Sequence, residues 1–185
     1  MRLTVATKIT LLRMLLVPLV AIGILYHRYG MTLLIFLFSA LTDLFDGLIA
    51  RKFGQKTKLG ALLDPMADKI LLSTSFILLT LPSARLSVPI PVWLTVVVFA
   101  RDVLLVTASV AIALTTGFTK FDPTIYGKAS TALQILTVLS VLVVNYLKVG
   151  SEWVDWMFYL TLALTLFSAL NYVYTFARRY NLENE

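Results

Sequence analysis

The chain has 185 residues, of which 59% are hydrophobic and 14% charged, and its mean hydropathy is +0.87. This composition excludes a water-soluble globular domain, a disordered chain and a coiled coil, and the lack of cysteine excludes disulfides and thiolate metal sites. In so apolar a chain, the net charge of +6 is typical of basic loops that face anionic membrane lipid, so we expect no nucleic-acid partner.

Six apolar stretches follow one another along the chain, separated by short charged or turn-forming segments. Because a spanning helix needs about 20 residues, the pattern predicts an all-α integral membrane protein with six transmembrane helices. No repeat or long linker divides the sequence, and we expect a single transmembrane domain over residues 1–185. The predicted spans are residues 9–26, 31–50, 62–81, 90–114, 129–147 and 154–176.

The loops between these spans differ in basic charge. One side of the membrane would carry ten lysines and arginines and the other side three, so the positive-inside rule predicts that both termini are cytoplasmic. The ten are Arg2, Lys8, Arg51, Lys52, Lys56, Lys58, Lys120, Lys128, Arg178 and Arg179, and the three are Arg28, Arg85 and Lys148.

Four of the ten acidic residues lie where the second span ends and the third begins. Asp43 and Asp46 are three residues apart, and Asp64 and Asp68 are four apart, so each pair falls on one helical face. Carboxylates are costly in membrane segments and normally serve a function there. The alternative is that they cap helix ends and pair with neighbouring basic side chains.

Two facing pairs would form a four-carboxylate cluster near the cytoplasmic surface. Such a cluster requires neutralisation, and oxygen ligands without cysteine, with His27 as the only histidine, favour Mg²⁺, Mn²⁺ or Ca²⁺. A pair of divalent cations would cancel the charge. Gly47, Ala50 and Gly60 share the acidic faces and leave room for a ligand to approach the backbone.

The pattern Asp43-x-x-Asp46-Gly47-x-x-Ala50-Arg51, followed by eight residues and Gly60-x-x-x-Asp64-x-x-x-Asp68, resembles the signature of the CDP-alcohol phosphotransferase family. The resemblance matches every fixed position. It implies six transmembrane helices, a homodimer, and transfer of a phosphatidyl or similar group from a CDP-linked donor to an alcohol, with release of CMP.

The resemblance also implies roles for the matching residues. The four aspartates would bind two Mg²⁺ or Mn²⁺ ions in each active site, and Asp68 would also be the catalytic base that takes the acceptor's proton. The implied metal ligands are Asp43, Asp46, Asp64 and Asp68, and the implied CDP-binding positions are Gly47, Ala50, Arg51 and Gly60.

Thr10 and Arg13 lie three residues apart in the first span, in a segment similar to the Thr-x-x-Arg of family members that form phosphatidylglycerophosphate. This similarity implies that they contact the nucleotide. The alternative for Arg13 is that its side chain extends along the helix to the membrane surface.

Arg101 and Asp102 lie midway along the fourth span, where a charge requires an ion pair or a cavity. Lys128 precedes the fifth span, in a segment similar to the Gly-Lys-x-x-Thr-x-x-Gln of the same enzymes. We expect Arg101 and Lys128 to bind an acceptor phosphate. The alternative is that Arg101 pairs only with Asp102 and that Lys128 is a loop cation.

These expectations together indicate an inner-membrane enzyme, with its active site facing the cytoplasm, that transfers a phosphatidyl group from CDP-diacylglycerol to glycerol 3-phosphate. A CMP-forming cardiolipin synthase, which uses phosphatidylglycerol, is the alternative, because Arg101-Asp102-Val103 resembles its Arg-Asp-Val segment. Inositol phosphate is a third acceptor, and serine or choline a weaker one. Outside the enzymes, a divalent-cation or proton-coupled transporter is the remaining alternative.

Overall fold

A computed structural model describes the backbone of residues 5–53, 58–116, 125–149 and 152–183, and the side chains of residues 10–42, 66–107, 125–149 and 152–175. Within these ranges the chain forms six α-helices and no strand, which confirms the predicted all-α fold. The helices are α1 (Val5–Leu25), α2 (Tyr29–Phe53), α3 (Lys58–Thr80), α4 (Val92–Thr116), α5 (Ile125–Leu147) and α6 (Glu152–Glu183), and a short 3-10 helix, Pro82–Ala84, follows α3.

Each helix overlaps one predicted span, but the helices extend beyond the apolar stretches. Helix α3 begins at residue 58, four residues before the predicted third span, and α6 ends at residue 183, seven residues after the predicted sixth span. Hydropathy marks the part of a helix that suits lipid, whereas backbone hydrogen bonding continues into polar flanks.

The helices contain 21 to 32 residues, and a span needs about 20. Over the described residues, two helical segments are both long and apolar enough to cross a membrane, Ile125–Leu147 and Glu152–Thr175. Shorter apolar segments, Thr10–Leu25 and Tyr29–Thr42, lie within α1 and α2. Six membrane spans therefore stay a prediction.

The chain divides into two compact units. The first comprises Met1–Ile90 and Val138–Ser151, and in it α1 packs against both α2 and α3. The contact of α1 with α2 is close at Gly23, where an added Cβ would lie 2.3 Å from the Thr32 hydroxyl oxygen. Glycine at this position leaves room for the Thr32 side chain between the two helices. The buried stripe of α1 is Thr10, Arg13, Val17, Val20 and Ile24.

The loop after α3 is fixed to the first unit by polar side chains. Asn145 of α5 accepts hydrogen bonds from the backbone N–H groups of Ser87 and Val88 at 2.7 and 3.2 Å, and it donates to the Val88 carbonyl at 3.0 Å. The Tyr29 hydroxyl donates to the carbonyl of Ala84. These bonds satisfy backbone groups that the irregular loop leaves without secondary-structure partners.

The second unit comprises Pro91–Thr137 and Glu152–Glu185, and in it α4 packs against α6. The first half of α5 contacts α6 through paired hydroxyl groups, Ser130 with Thr165 at 3.2 Å and Thr137 with Thr161 at 2.7 Å. The buried stripe of α6 is Val154, Phe158, Thr161, Thr165 and Ser168.

Burial in both units differs from that in a water-soluble protein. Polar and apolar side chains share the buried stripes, while Leu15, Leu34 and Leu170 are 68%, 68% and 70% exposed. Large apolar side chains on the outside are stable when the surrounding solvent is lipid, and buried polar groups then bond to one another. The burial pattern thus agrees with a membrane protein.

Candidate functional site

The first unit brings two of the predicted site residues into direct contact. Arg13 of α1 donates from Nη1 to the Oδ1 atom of Asp68 on α3, and the two residues form an ion pair across 55 positions of sequence. The Arg13 side chain is 2% exposed and the Asp68 side chain 33%. A buried guanidinium requires a counter-charge, and Asp68 provides it. The alternative that Arg13 extends to the membrane surface is therefore wrong.

Thr10 lies one helical turn before Arg13 and is equally buried. The prediction that the two share one helical face is confirmed. That face continues into the apolar stripe of α1, so Thr10 and Arg13 are directed into the first unit rather than towards lipid. Their predicted contact with the nucleotide stays a prediction.

The helices that carry the acidic signature form as predicted, and α2 is helical to Phe53 and α3 from Lys58. Buried residues of α2, Thr32, Phe36 and Ser39, recur at intervals of three and four. Positions 43 and 46 continue this interval, and position 64 precedes Asp68 by one turn. The side chains of the other signature residues, Asp43, Asp46, Gly47, Ala50, Arg51, Gly60 and Asp64, lie outside the described residues.

Among the described side chains, no group of three or more histidines, cysteines or acids could hold a metal ion. The one described signature carboxylate, Asp68, is partly exposed and thus accessible to a solute. Its hard oxygen atoms fit Mg²⁺ or Mn²⁺, as do those of the other three signature aspartates.

Arg101 of α4 lies in the buried part of the second unit. Its Nη1 atom is 2.9 Å from Oδ1 of Asp102, and its Nη2 atom donates to the Ser168 hydroxyl at 2.9 Å. The prediction that a deep arginine needs an ion pair or a cavity is confirmed by the ion pair. Ser168 of α6 is a second partner of Arg101, and binding of an acceptor phosphate by Arg101 stays a prediction.

The Nε atom of Arg101 is buried and has no hydrogen-bond partner in the described part of the chain. A guanidinium presents its donors in a planar fork that suits phosphate oxygens.

Lys128 is exposed and lies in the first turn of α5, so the alternative that it is a loop cation is wrong about its location. The segment after it is buried on one side, where Gln134 donates from Nε2 to the Ser130 hydroxyl at 3.4 Å. Binding of an acceptor phosphate by Lys128 stays a prediction.

Sequence reasoning did not identify Ser168 as a partner of Arg101. The available signal was periodic, because Thr161, Thr165 and Ser168 place hydroxyl groups at intervals of four and three in an otherwise apolar stretch. Such spacing puts three polar groups on one face of α6. It does not reveal which helix that face contacts.

Comparison with known proteins adds a family and several relatives. The sequence profile of the CDP-alcohol phosphatidyltransferase family matches residues 3–167. The chain is 34% identical over 146 residues to a CDP-diacylglycerol–glycerol-3-phosphate 3-phosphatidyltransferase of Aquifex aeolicus, and the match covers 79% of each chain.

Two further relatives are CMP-forming cardiolipin synthases. The protein of Rattus norvegicus is 33% identical over 162 residues, which cover 77% of this chain and 52% of the relative. The protein of Homo sapiens is 31% identical over 195 residues, with coverage of 95% and 62%. The chain thus spans less than two thirds of these two relatives.

Proposed function

The chain belongs to the CDP-alcohol phosphatidyltransferase family, and we propose that it transfers a phosphatidyl group from CDP-diacylglycerol to glycerol 3-phosphate, forming phosphatidylglycerophosphate and CMP. The observation that carries the proposal is the full acidic signature within a family match of residues 3–167. A relative with that activity in its name covers 79% of the chain. Membership of an enzyme family removes the transporter alternative.

In the proposed reaction, the acceptor hydroxyl oxygen forms a bond to the phosphorus that carries diacylglycerol. The pyrophosphate P–O bond to CMP breaks, and CMP leaves. Asp68 takes the hydroxyl proton, which requires a carboxylate that a solute can reach, and the partial exposure of Asp68 supports this role.

The proposed site holds two Mg²⁺ or Mn²⁺ ions on Asp43, Asp46, Asp64 and Asp68. Bound cations of this kind neutralise a pyrophosphate and a departing phosphate. Six CDP-binding positions complete the donor site. They are Thr10, Arg13, Gly47, Ala50, Arg51 and Gly60.

Arg101 and Lys128 are proposed to bind the acceptor's phosphate. The buried Nε atom of Arg101 supports this role, because a phosphate oxygen would satisfy it. The same cationic pair would also suit the phosphodiester of phosphatidylglycerol. The Arg101-Asp102-Val103 segment and the two cardiolipin synthase relatives favour that second acceptor, and inositol phosphate is the third.

The proposed enzyme is one transmembrane domain over residues 1–185, with six spans and both termini in the cytoplasm. Its active site faces the cytoplasm at the inner membrane, and it acts as a homodimer. The excess of basic residues in alternate loops supports the orientation, and the exposed apolar side chains support residence in lipid.

The test is release of CMP from CDP-diacylglycerol by the purified protein, with glycerol 3-phosphate, phosphatidylglycerol and inositol phosphate compared as acceptors. We expect release with glycerol 3-phosphate and loss of activity in excess EDTA, restored by Mg²⁺ or Mn²⁺. Preference for phosphatidylglycerol would indicate that the protein acts as a CMP-forming cardiolipin synthase instead. Full activity in EDTA would refute the two-metal site.

A further inference from the structure

The two partners of the Arg13–Asp68 ion pair differ in their access to solutes. The guanidinium is 2% exposed and belongs to the buried stripe of α1, whereas the carboxylate is 33% exposed. A small cation can therefore approach Asp68 from the solvent side while Arg13 contacts it from the buried side. Two different cations can thus compete for one carboxylate.

The Arg13 guanidinium and a divalent cation would repel each other at Asp68. Asp68 in the proposed function is a ligand of a divalent cation, yet here Arg13 contacts its Oδ1 atom. A guanidinium in direct contact with the carboxylate offsets its negative charge and repels a second cation. This repulsion is strongest in a partly desolvated site. Tight metal binding and the ion pair seen here are then mutually unfavourable.

We propose that Arg13 is an internal counter-ion of Asp68, which neutralises this carboxylate while the site lacks a metal and releases it when a divalent cation binds. This inference rests on the proposed function and adds a positioning role for Arg13. The ion pair compensates the charge of a buried arginine, and it would reduce the repulsion among the four proposed ligand carboxylates.

Release of Asp68 would remove one anionic partner of Arg13, and a second anion could take its place. A nucleoside diphosphate provides one, because its pyrophosphate oxygens match the guanidinium fork, and Thr10 lies on the same face of α1. Metal binding would thus prepare Arg13 for the donor, and the coupling between the two ligands would be reciprocal.

The test is the affinity of the nucleotide-free protein for Mn²⁺, followed by the electron paramagnetic resonance signal of free Mn²⁺ in detergent solution. Replacement of Arg13 by neutral glutamine removes the competing cation. We expect Arg13→Gln to bind Mn²⁺ about tenfold more tightly than the wild type, since one like charge near the site is lost. Its metal-free form should unfold at a lower temperature, and added Mn²⁺ should raise that temperature more than in the wild type.

Asn145→Leu is the control for a loss of stability, because Asn145 is a buried polar residue of the first unit that lies outside the proposed site. It should lower the unfolding temperature without changing Mn²⁺ affinity. If Arg13→Gln does not fold, Arg13→Lys keeps the charge on a shorter side chain, and we expect a smaller increase in affinity, about threefold.

Unchanged or weaker Mn²⁺ binding by the Arg13 variants would overturn the inference. Asp68→Asn separates this outcome from failure of the proposed function. If the wild type binds Mn²⁺ and Asp68→Asn binds it weakly, the metal site stands and only the counter-ion role fails. If the wild type binds no Mn²⁺, the proposed metal site and this inference both fail.

Discussion

Asp68 has three proposed functions, as a metal ligand, as the catalytic base and as the counter-charge of Arg13, and an amide replacement affects all of them. Asn has nearly the shape of Asp but cannot take a proton, so Asp68→Asn should reduce kcat by more than tenfold, a barrier increase above about 1.4 kcal/mol. At a saturating Mg²⁺ concentration, which offsets the lost metal ligand, donor binding should change much less. The measurement is steady-state CMP release together with CDP-diacylglycerol binding to the same preparation.

The same change also removes the charge opposite Arg13. We expect it to lower the free energy of unfolding by about 2 kcal/mol, less than for a fully buried pair because the Asp68 side chain is one-third exposed. The double variant Arg13→Gln with Asp68→Asn should recover stability but not turnover. A kcat above one tenth of the wild-type value would contradict the base assignment.

Arg101 allows a comparable separation of binding from stability. If its Nε atom binds the acceptor's phosphate, Arg101→Ala should raise the acceptor KM by about tenfold to a hundredfold and change the donor KM little. Arg101→Lys should also be impaired, since an ammonium cannot reproduce a planar fork of donors. Kinetics with both substrates varied independently measure these effects.

A purely structural role predicts a different result. Arg101→Ala would then leave Asp102 without its partner at 2.9 Å, lower the unfolding temperature and leave the acceptor KM unchanged. Adding Asp102→Ala would restore stability, because removing both members of a buried pair costs less than removing one. This outcome would exclude Arg101 from the acceptor site.

At the scale of helices, the apolar stretches of the sequence predicted all six elements but not their ends. Hydropathy reports the solvent that a segment prefers, and it therefore cannot show that α6 remains helical to Glu183. It also missed the Pro82–Ala84 turn, whose three residues are too few to produce a periodic pattern.

Contacts between helices were predicted less well than the helices. The sequence placed Thr10 and Arg13 on one face, but the partner of Arg13 lies 55 positions away, and local spacing carries no information about so distant a pair. Asp68 was identified through the spacing of its signature, whereas Ser168 belongs to no motif. Periodicity predicts which face of a helix is polar, and tertiary packing determines what that face meets.

Asn145 shows how one side chain of α5 can hold the loop that follows α3. It bonds Ser87, Val88 and the Val141 carbonyl, the last at 2.7 Å. Asn145→Leu would leave backbone groups of the loop without partners. Since water can replace some of these bonds, we expect a loss of about 2 kcal/mol and an unfolding temperature lower by about 5 °C.

Asn171 of α6 provides the control for this substitution. Its amide oxygen makes a long contact of 3.4 Å with the Thr175 hydroxyl in the same helix, so Asn171→Leu removes no bond between elements that the structure describes. It should change the unfolding temperature by less than about 1 °C. Similar losses in the two variants would show that Asn145 does not hold the loop.

At the scale of the whole molecule, the chemistry of the proposed site depends on which side of the membrane it faces. Cytidine nucleotides and glycerol 3-phosphate are charged solutes that do not cross a bilayer unaided, so the acidic signature must face the compartment that supplies them. The basic residues of alternate loops predict that this compartment is the cytoplasm. The exposed apolar surface agrees with a lipid environment but does not indicate which side of the membrane the acidic signature faces.

Because the chain has no cysteine, single cysteines can report its orientation without altering a native thiol. Arg28→Cys and Lys148→Cys replace exposed residues of the predicted outer loops, and Lys56→Cys and Lys120→Cys replace residues of the predicted cytoplasmic loops. A membrane-impermeant maleimide added to intact cells should label the first two variants and leave the other two unlabelled until the membrane is permeabilised. The reverse pattern would place the acidic signature outside the cytoplasm, away from its proposed substrates, and labelling of all four in intact cells would indicate that the chain inserts in both orientations.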